Sequence, residues 1–207
     1  MRKTKESAAE TRQGLLDAAL RVFSRQGYTA TRLEDVAAEA GVTRGAIYWH
    51  FKSKADLYTT LVAEVSQRAG RVANFARDED VDPLQSFRWF MIRMLELVEE
   101  DAQYRAVLEL TILKTELTPE LEGGMRMKVE ALQAGQVQLA EVLRHGIERG
   151  VVRRDLDPVE GARTCLSMLN GAVMLWLLDP KAFSLKASAP ALVEVYLRGI
   201  AASAKSS

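Results

Sequence analysis

Apolar residues recur every three or four positions between residues 33 and 40, which is the spacing of one face of an α-helix. These residues are Leu33, Val36, Ala37 and Ala40. Thr31 and Glu34 stand in a T-x-x-E arrangement, which predicts a capping box and a helix that starts near Arg32. Gly41 follows where a left-handed residue ends a helix, and Thr43 is a good N-cap for another. The pattern predicts a helix-turn-helix.

The second helix of this pair is predicted from Arg44 to about His50. Ala46 and Ile47 are expected to face inward, and the rings of Trp49 and Phe51 are expected to lie partly in the core. Five residues remain for contacts outside the domain: Arg44, Gly45, Tyr48, Trp49 and His50. A recognition helix places its N-terminal residues against base edges in the major groove, which makes its first residues the candidates for reading DNA sequence.

Other residues in this region suit phosphate oxygens rather than bases. The hydroxyl of Tyr48 and the imidazole of His50 lie toward the far end of the recognition helix, where they would position the protein on DNA. Ser53 and Asp56 form a second capping box, and Lys54 adds a cation beside the exposed amides of that helix start. The predicted DNA-binding residues are Thr31, Arg32, Thr43, Arg44, Gly45, Ala46, Tyr48, Trp49, His50 and Lys54. The alternative is a packed surface helix with a solvated rim.

Residue pairs that end in proline mark three later helix starts, because each places a capping side chain before a proline at the first helical position. The pairs are Asp82-Pro83, Thr118-Pro119 and Asp157-Pro158. The later helices are predicted to about Phe75, over Pro83–Glu100, around Gln103–Lys114, to about Arg149, over Pro158–Leu178 and from about Ala189 to Ala202. Two helical glycines cost about 2 kcal/mol relative to alanine, so the helix near Gly123-Gly124 is either broken or begins only at Met125. We find no strand alternation and predict an all-α protein of about nine helices.

The eighth predicted helix is the most apolar part of the chain. Eleven of the fourteen residues from Cys165 to Leu178 are apolar, which predicts burial on nearly all sides. The ninth helix offers a stripe of Leu192, Val195, Tyr196, Gly199 and Ile200. Burial of both helices requires either an ordinary intrachain core or a second subunit, and we favour a homodimer. The apolar run falls short of the roughly 20 residues that cross a membrane, so no membrane contact is expected.

The segment from Thr11 to Leu61 resembles the N-terminal DNA-binding domain of the TetR family of bacterial repressors. The sequence GVTRGAIYWHF, followed by Lys54, is most similar to the subgroup that represses multidrug-efflux pumps. The resemblance covers about the first quarter of the chain. It implies a mostly helical homodimer that leaves a palindromic double-stranded DNA operator when a small molecule binds. It further implies a DNA-binding domain over residues 1–55, and an effector-binding and dimerisation domain over residues 56–207 whose last two helices form a four-helix dimer interface.

By the same resemblance, helices five to eight line an effector cavity, and their large, adaptable side chains suit a hydrophobic or aromatic ligand. The candidate effector-binding residues are Trp89, Phe90, Met94, Glu109, Leu113, Asn170, Met174 and Trp176. Glu109 and Asn170 interrupt apolar segments, and burial without a partner would cost each about 1–3 kcal/mol. An intrachain hydrogen bond and a ligand explain them equally well.

Composition limits the other possibilities. The net charge is zero, but residues 1–58 carry ten Lys and Arg against seven acidic residues, which leaves that region at +3. A basic region on a neutral chain is typical of specific DNA binding. The single Cys165 excludes an internal disulfide and indicates a cytoplasmic protein. The two histidines lie 95 residues apart, and the chain has no metal-ligand spacing, phosphate loop or nucleophile motif. We therefore expect no enzyme activity, cofactor or metal.

Two functions of different classes remain open. The first is a ligand-gated repressor of an efflux or transport operon. The second is a DNA-binding protein that responds to no effector and whose C-terminal domain binds a protein partner. An enzyme that uses the C-terminal cavity is the weakest alternative.

Overall fold

The computed structural model describes residues 2–75, 82–116 and 118–202. For residues 2–6 and 73–75 it describes the backbone only. Its helices are α1 (Arg2–Ala30), α2 (Leu33–Glu39), α3 (Arg44–His50), α4 (Lys54–Phe75), α5 (Pro83–Glu100), α6 (Ala102–Leu113), α7 (Glu122–Glu148), α8 (Pro158–Leu178) and α9 (Leu185–Ile200). A short 3₁₀ turn, Pro119–Leu121, precedes α7, and the Thr118 side chain makes no capping hydrogen bond, so the capped helix start predicted at Thr118-Pro119 was wrong. The all-α prediction is confirmed for the described residues, where the one extended pairing is an isolated bridge between Val152 and Ala201.

The chain divides into two compact units. The first comprises Met1–Gln67 and Gln103–Met125, and the second comprises Arg68–Ala102 and Arg126–Ser207. Helix α4 contributes residues to both. The first unit thus holds the helix-turn-helix together with α6, so its limits differ from those of the predicted domain over residues 1–55, which stays a prediction.

The first unit has a core of α1, α2, α3 and the start of α4. Helix α1 leaves helical geometry at Gly27, whose φ of 77° only glycine adopts readily. The rings of Phe23, Tyr28 and Tyr58 pack together in this core, with centroids 5.1 to 5.9 Å apart. Burial and the hydrogen bond to Glu120 raise the pKa of the Tyr28 phenol above its usual value. A hydroxyl that stays neutral here ties the 3₁₀ turn to the end of α1.

In the second unit α5 packs mainly against α9, and α8 contacts both. Tyr196 of α9 donates a hydrogen bond to the carbonyl oxygen of Gly161 in α8 at 2.8 Å. Burial raises the pKa of the Cys165 thiol to about 12, so this cysteine is a neutral core residue. The arrangement supports α8 from one side and leaves another face of it exposed.

The start of α9 was predicted incorrectly. The helix begins at Leu185 rather than near Ala189, because Ser184 accepts a hydrogen bond from the Ala187 amide at 3.0 Å. Glu99 of α5 accepts hydrogen bonds from the hydroxyl of Ser184 and from the Lys186 amide. Pro190 therefore lies inside the helix, where it removes one backbone hydrogen bond.

Helix α7 is continuous through the glycine pair, so both predicted alternatives for it were wrong. It starts at Glu122, which places Gly123 and Gly124 in the first turn, where few backbone bonds are at stake. A Cβ atom at Gly124 would lie 2.5 Å from Cγ2 of Thr59 in α4. Gly124 is therefore required for the close packing of α7 against Thr59 of α4.

In the single chain α8 is not buried on nearly all sides, which argues against the alternative of an ordinary intrachain core. Burial of its remaining face by a second subunit stays a prediction. Along one face Met174, Leu175 and Leu178 are exposed, with Leu175 at 65%. The stripe predicted on α9 is split, since Tyr196 and Ile200 are buried while Val195 is 74% exposed. Among the described residues, α8 alone is long and apolar enough to cross a membrane by length and composition, a test that core helices also pass.

Candidate nucleic-acid interface

Helix α2 begins with a cap different from the predicted one. The Arg32 amide donates to the carboxylate of Asp35 at 2.9 Å, so Asp35 rather than Glu34 occupies the capping position. Thr31 is buried at 2% exposure, and its hydroxyl donates to the carbonyl oxygen of Gly27 at 2.7 Å. The predicted capping box of Thr31 and Glu34 was therefore wrong, and the Thr31 hydroxyl is occupied within the fold.

The turn between α2 and α3 follows the predicted pattern. Gly41 has a φ of 68°, and the amide of Val42 donates to the carbonyl oxygen of Ala37 at 3.0 Å, which closes the end of α2. Thr43 accepts a hydrogen bond from the Ala46 amide at 3.3 Å and so caps α3. Because both ends of the turn are bonded, the start of α3 has a defined orientation.

Helix α3 is anchored by few residues and exposes most of its surface. Ile47 is fully buried and Phe51, which follows the helix, is 2% exposed, as predicted. Trp49 is 73% exposed, so the expectation that its ring lies partly in the core was wrong. The exposed residues at this helix and its cap are Thr43, Arg44, Gly45, Tyr48 and Trp49, while Ala46 and His50 are half-buried. The Trp49 ring contacts the His50 ring edge-on, with centroids 4.6 Å apart, and most of its surface faces solvent.

Gly45 is exposed, and the nearest atom to a Cβ placed there is the Thr43 hydroxyl at 4.0 Å. Nothing in the fold requires a glycine, which costs helix stability. Without a side chain, the backbone at the start of α3 is accessible from outside the protein.

Lys54 is engaged within the protein. Its ammonium donates to the carbonyl oxygens of Tyr28 at 3.0 Å and Thr29 at 3.3 Å, and it lies 4.3 Å from the centroid of the Tyr28 ring. It therefore joins the end of α1 to the start of α4. The predicted phosphate contact would have to share this cation. The capping box of Ser53 and Asp56 is half confirmed, because Ser53 caps the Asp56 amide but Asp56 accepts from the Lys52 amide.

His50 is half-buried at the end of α3. Burial and the nearby Arg12 guanidinium lower the pKa of its imidazole, which favours the neutral form at pH 7. Arg12 itself bonds to Glu64 and lies 5.6 Å from the centroid of the Phe51 ring. A neutral imidazole can donate one hydrogen bond to a phosphate and adds no charge.

The predicted DNA-binding residues all belong to the first unit, whereas the effector candidates are divided between the two units. Glu109 and Leu113 belong to the first unit, and Trp89, Phe90, Met94, Asn170, Met174 and Trp176 belong to the second. Trp176 is buried, and its indole donates to the carbonyl oxygen of Phe183 at 3.1 Å. Asn170 is exposed beside a groove of about 350 Å³ between α7 and α8, and its amide donates to the Leu166 carbonyl oxygen at 2.8 Å.

The carboxylate of Glu109 lies 4.0 Å from the Lys114 ammonium. Glu109 and Asn170, the two polar residues that interrupt apolar segments, therefore both have partners within the chain. Trp89 lines a different groove on α5, of about 570 Å³, and Phe90 is buried.

One residue at this interface has no counterpart in the predicted set. Glu34 pairs with Arg44 at 3.0 Å and accepts a hydrogen bond from Tyr48 at 3.5 Å. The T-x-x-E pattern concealed this contact, because it assigned the carboxylate to the helix cap. Helix α3 is short, is capped by Thr43 and is joined to α2 by a hydrogen-bonded turn. It exposes Arg44, Gly45 and Trp49. These features define a helix-turn-helix DNA-binding protein.

Comparison with known proteins extends this class to the whole chain. The family "Bacterial regulatory proteins, tetR family" matches residues 15–61, and "MAATS-type transcriptional repressor, C-terminal region" matches residues 82–201. The HTH-type transcriptional regulator AcrR of Shigella flexneri is 34% identical over 201 residues, which cover 95% of this chain and 94% of that protein. The chain belongs to the TetR family of bacterial transcriptional regulators.

Solved structures are similar over nearly the same length. The crystal structure of NalD, the secondary repressor of the MexAB-OprM multidrug efflux pump in Pseudomonas aeruginosa, has a TM-score of 0.86 and 26% identity, and covers 96% of this chain and 100% of that chain. The complex of SmeT with triclosan has a TM-score of 0.79 and 26% identity, and covers 94% and 93%. SmeT is the repressor of the Stenotrophomonas maltophilia multidrug efflux pump SmeDEF. The family relation and the resemblance to efflux-pump repressors are thus confirmed.

Proposed function

We propose that the protein is a cytoplasmic homodimeric repressor of an efflux or transport operon, which a hydrophobic small molecule releases from a palindromic operator. The DNA-binding part of this proposal is supported by α3, whose N-terminus is capped by Thr43 and whose outer face is exposed. Two copies of α3 would enter successive major grooves about one helical turn, or roughly 34 Å, apart. Thr43, Arg44 and Gly45 would lie against bases, and Tyr48, His50 and Lys54 near phosphates. We leave Thr31 out, because its hydroxyl is buried.

The apolar face of α8 supports the homodimer. Met174, Leu175 and Leu178 lie exposed on it, and Val195 is exposed on α9. Large apolar side chains that are exposed together on one helix face are typical of a protein contact, and an isologous contact would cover this face on both subunits. The same two-fold symmetry would give the operator its palindromic sequence.

The effector part of the proposal is supported by relatives that repress multidrug efflux pumps and by SmeT, whose complex contains triclosan. In the second unit, Trp89 lines the groove on α5 and Asn170 lines the groove between α7 and α8, and each groove is a candidate binding site, whereas Trp176 belongs to the core. An effector releases DNA only if it binds the DNA-incompetent state more tightly than the competent one. Helix α4 would transmit the change, because it contributes residues to both units.

The first experiment selects DNA from a random pool with the purified protein, and measures affinity for the enriched sequence by fluorescence anisotropy. We expect a palindrome whose half-sites lie about 10 base pairs apart centre to centre. An enriched pool without inverted symmetry would contradict the dimeric reading.

The second experiment tests release with triclosan and a panel of hydrophobic drugs and dyes. A saturating ligand should raise the unfolding temperature and weaken operator binding, since a ligand at 100 times its dissociation constant adds about 2.7 kcal/mol. The exposed apolar residues of α7, among them Met127 and Val137, favour the alternative of a protein partner. A flat ligand panel with intact operator binding would support that alternative.

A further inference from the structure

Glu34 occupies the first turn of α2 but does not cap it. Asp35 accepts the hydrogen bond from the Arg32 amide, which leaves the carboxylate of Glu34 available. Its side chain is 42% exposed. A carboxylate in the first turn of α2 interacts favourably with the helix dipole, but this interaction does not require the side chain to point toward α3.

The carboxylate instead contacts two recognition residues one helical turn apart on α3. The same oxygen, Oε1, lies 3.0 Å from Nε of Arg44 and 3.5 Å from the hydroxyl of Tyr48. The Arg44 guanidinium in turn lies 5.6 Å from the centroid of the Tyr48 ring. Three side chains thus form a closed triangle on the surface that α3 exposes.

Folding gains little from this triangle. Arg44 is 71% exposed, and an exposed ion pair contributes about 0–1 kcal/mol to stability. Its effect on binding is different, because a long arginine side chain must be ordered before it can read a base. The 3.0 Å contact is made by Nε, and a guanidinium carries five N–H donors, of which guanine O6 and N7 need two.

The negative charge of Glu34 also favours base readout by Arg44 over phosphate contacts. Non-specific DNA binding comes from phosphate contacts, and a free Arg44 would be available to make one. A carboxylate paired with Arg44 offsets the positive charge toward phosphates. Base recognition depends on the geometry of the guanidinium, so the pairing with Glu34 weakens it less than it weakens a phosphate contact.

We propose that Glu34 is a positioning residue for DNA specificity: it orients Arg44 for base readout and disfavours phosphate contacts on non-operator DNA. This inference rests on the proposed DNA binding through α3. It concerns a residue that touches Arg44 and Tyr48 rather than the bases.

The test compares Glu34→Gln, Glu34→Asp and the control Glu39→Gln. Glu39 is on the same helix, but it pairs with Arg21 and Arg25 of α1, so the control removes the same charge without touching α3. Each protein is titrated by fluorescence anisotropy with the selected operator, with operators substituted at each position, and with a non-specific duplex, at several salt concentrations. Unfolding temperature is measured in parallel.

For Glu34→Gln we expect the ratio of operator to non-specific affinity to fall about fivefold, the factor equivalent to the upper range of an exposed ion pair. The salt dependence of non-specific binding should steepen by about one phosphate contact. Glu34→Asp keeps the charge but shortens the side chain, so it should relax base preference while non-specific affinity stays at the wild-type level. Glu39→Gln should leave the ratio unchanged, and the unfolding temperatures of both Glu34 variants should stay close to wild type.

The Arg44→Ala background separates positioning from a general charge effect. There, Glu34→Gln should no longer alter preference at the base pair that Arg44 reads. The inference is overturned if Glu34→Gln keeps the wild-type ratio, or if Glu39→Gln lowers it equally. A wild-type protein with no sequence preference would overturn the proposed function as well, and the wild-type titration alone reveals that case.

Discussion

Helices α3 and α8 both leave large side chains in solvent, yet the chemistry of what they expose differs. On α3 the exposed residues include Arg44, Tyr48 and Trp49, which combine charge, hydrogen-bonding groups and rings. On α8 the exposed large residues are Met174, Leu175 and Leu178, which offer only apolar surface. Exposure alone therefore indicates a contact surface, and the type of exposed group indicates its partner. A polyanion suits the first helix and a second protein surface suits the second.

The largest expected effect is on the α8 surface. Leu175→Glu places a charge in the proposed subunit contact, and we expect a monomer whose operator affinity falls on the order of 10²–10⁴-fold, because the two half-sites are no longer bound together. Light scattering and anisotropy measure the two changes. Val137→Glu, on an exposed α7 position, is the matched control. A dimeric Leu175→Glu protein with wild-type affinity would show that α8 is not the interface.

Arg44→Ala tests the α3 surface directly. If the guanidinium reads a base, operator affinity should fall by about 1–3 kcal/mol and specificity should relax at one base pair. Titrations against singly substituted operators provide the measurement. An equal loss on every sequence would indicate that Arg44 contacts a phosphate instead.

Lys54→Ala tests a residue that the fold and the proposed interface would share. Loss of its bonds to the Tyr28 and Thr29 carbonyl oxygens should cost about 1–2 kcal/mol of stability, less than for a fully buried charged group. A phosphate contact would add a uniform loss of affinity and lower the salt slope by about one. Lys52→Ala, an exposed neighbour, is the control for charge. Unchanged stability in Lys54→Ala would contradict its structural role between α1 and α4, and unchanged affinity would contradict the phosphate contact.

Gly45→Ala should move stability and DNA binding in opposite directions. The folded protein has space for a Cβ, so helix propensity should raise the free energy of unfolding by about 0.5–1 kcal/mol. Operator affinity should fall if the α3 backbone lies close to DNA. Chemical denaturation and anisotropy on the same sample test the pair of outcomes, and undiminished affinity would exclude a close approach.

The smallest expected effect is on pH dependence. The pKa of His50 is lowered in the folded protein by burial and then by Arg12, so the unfolded chain binds a proton more readily at this position. The contribution of His50 to stability is therefore present above the ordinary histidine pKa of about 6.5 and declines as the pH falls below it. His50→Gln should flatten this part of the stability profile between pH 7.5 and 5.5, as followed by denaturant titration. Parallel profiles for the two proteins would contradict the direction of the shift.

Local signals in the sequence predicted the elements whose caps lie close to them in the chain. Thr43, Asp82 and Asp157 each cap the helix predicted from them, because the bonded amide is two or three residues away. The start of α9 has an equally local cap, since Ser184 accepts a hydrogen bond from the Ala187 amide three residues away, and the prediction missed it. The further contact between Ser184 and Glu99 of α5 could not be predicted locally, because Glu99 is distant in sequence. The cap of α2 failed for a different reason: Glu34 and Asp35 are adjacent carboxylates, and only the backbone path decides which one reaches the amide.

The amino-acid sequence by itself determined the all-helical class, the helix-turn-helix and the polar outer face of α3, because these follow from spacing, caps and glycine within one or two turns. The tertiary structure alone decided which side of an apolar helix is covered, since α8 is apolar around much of its circumference and periodicity cannot distinguish its faces. It also decided that Glu34 meets Arg44 and that Lys54 meets the end of α1. Such contacts depend on how helices pack, and no local pattern carries that information.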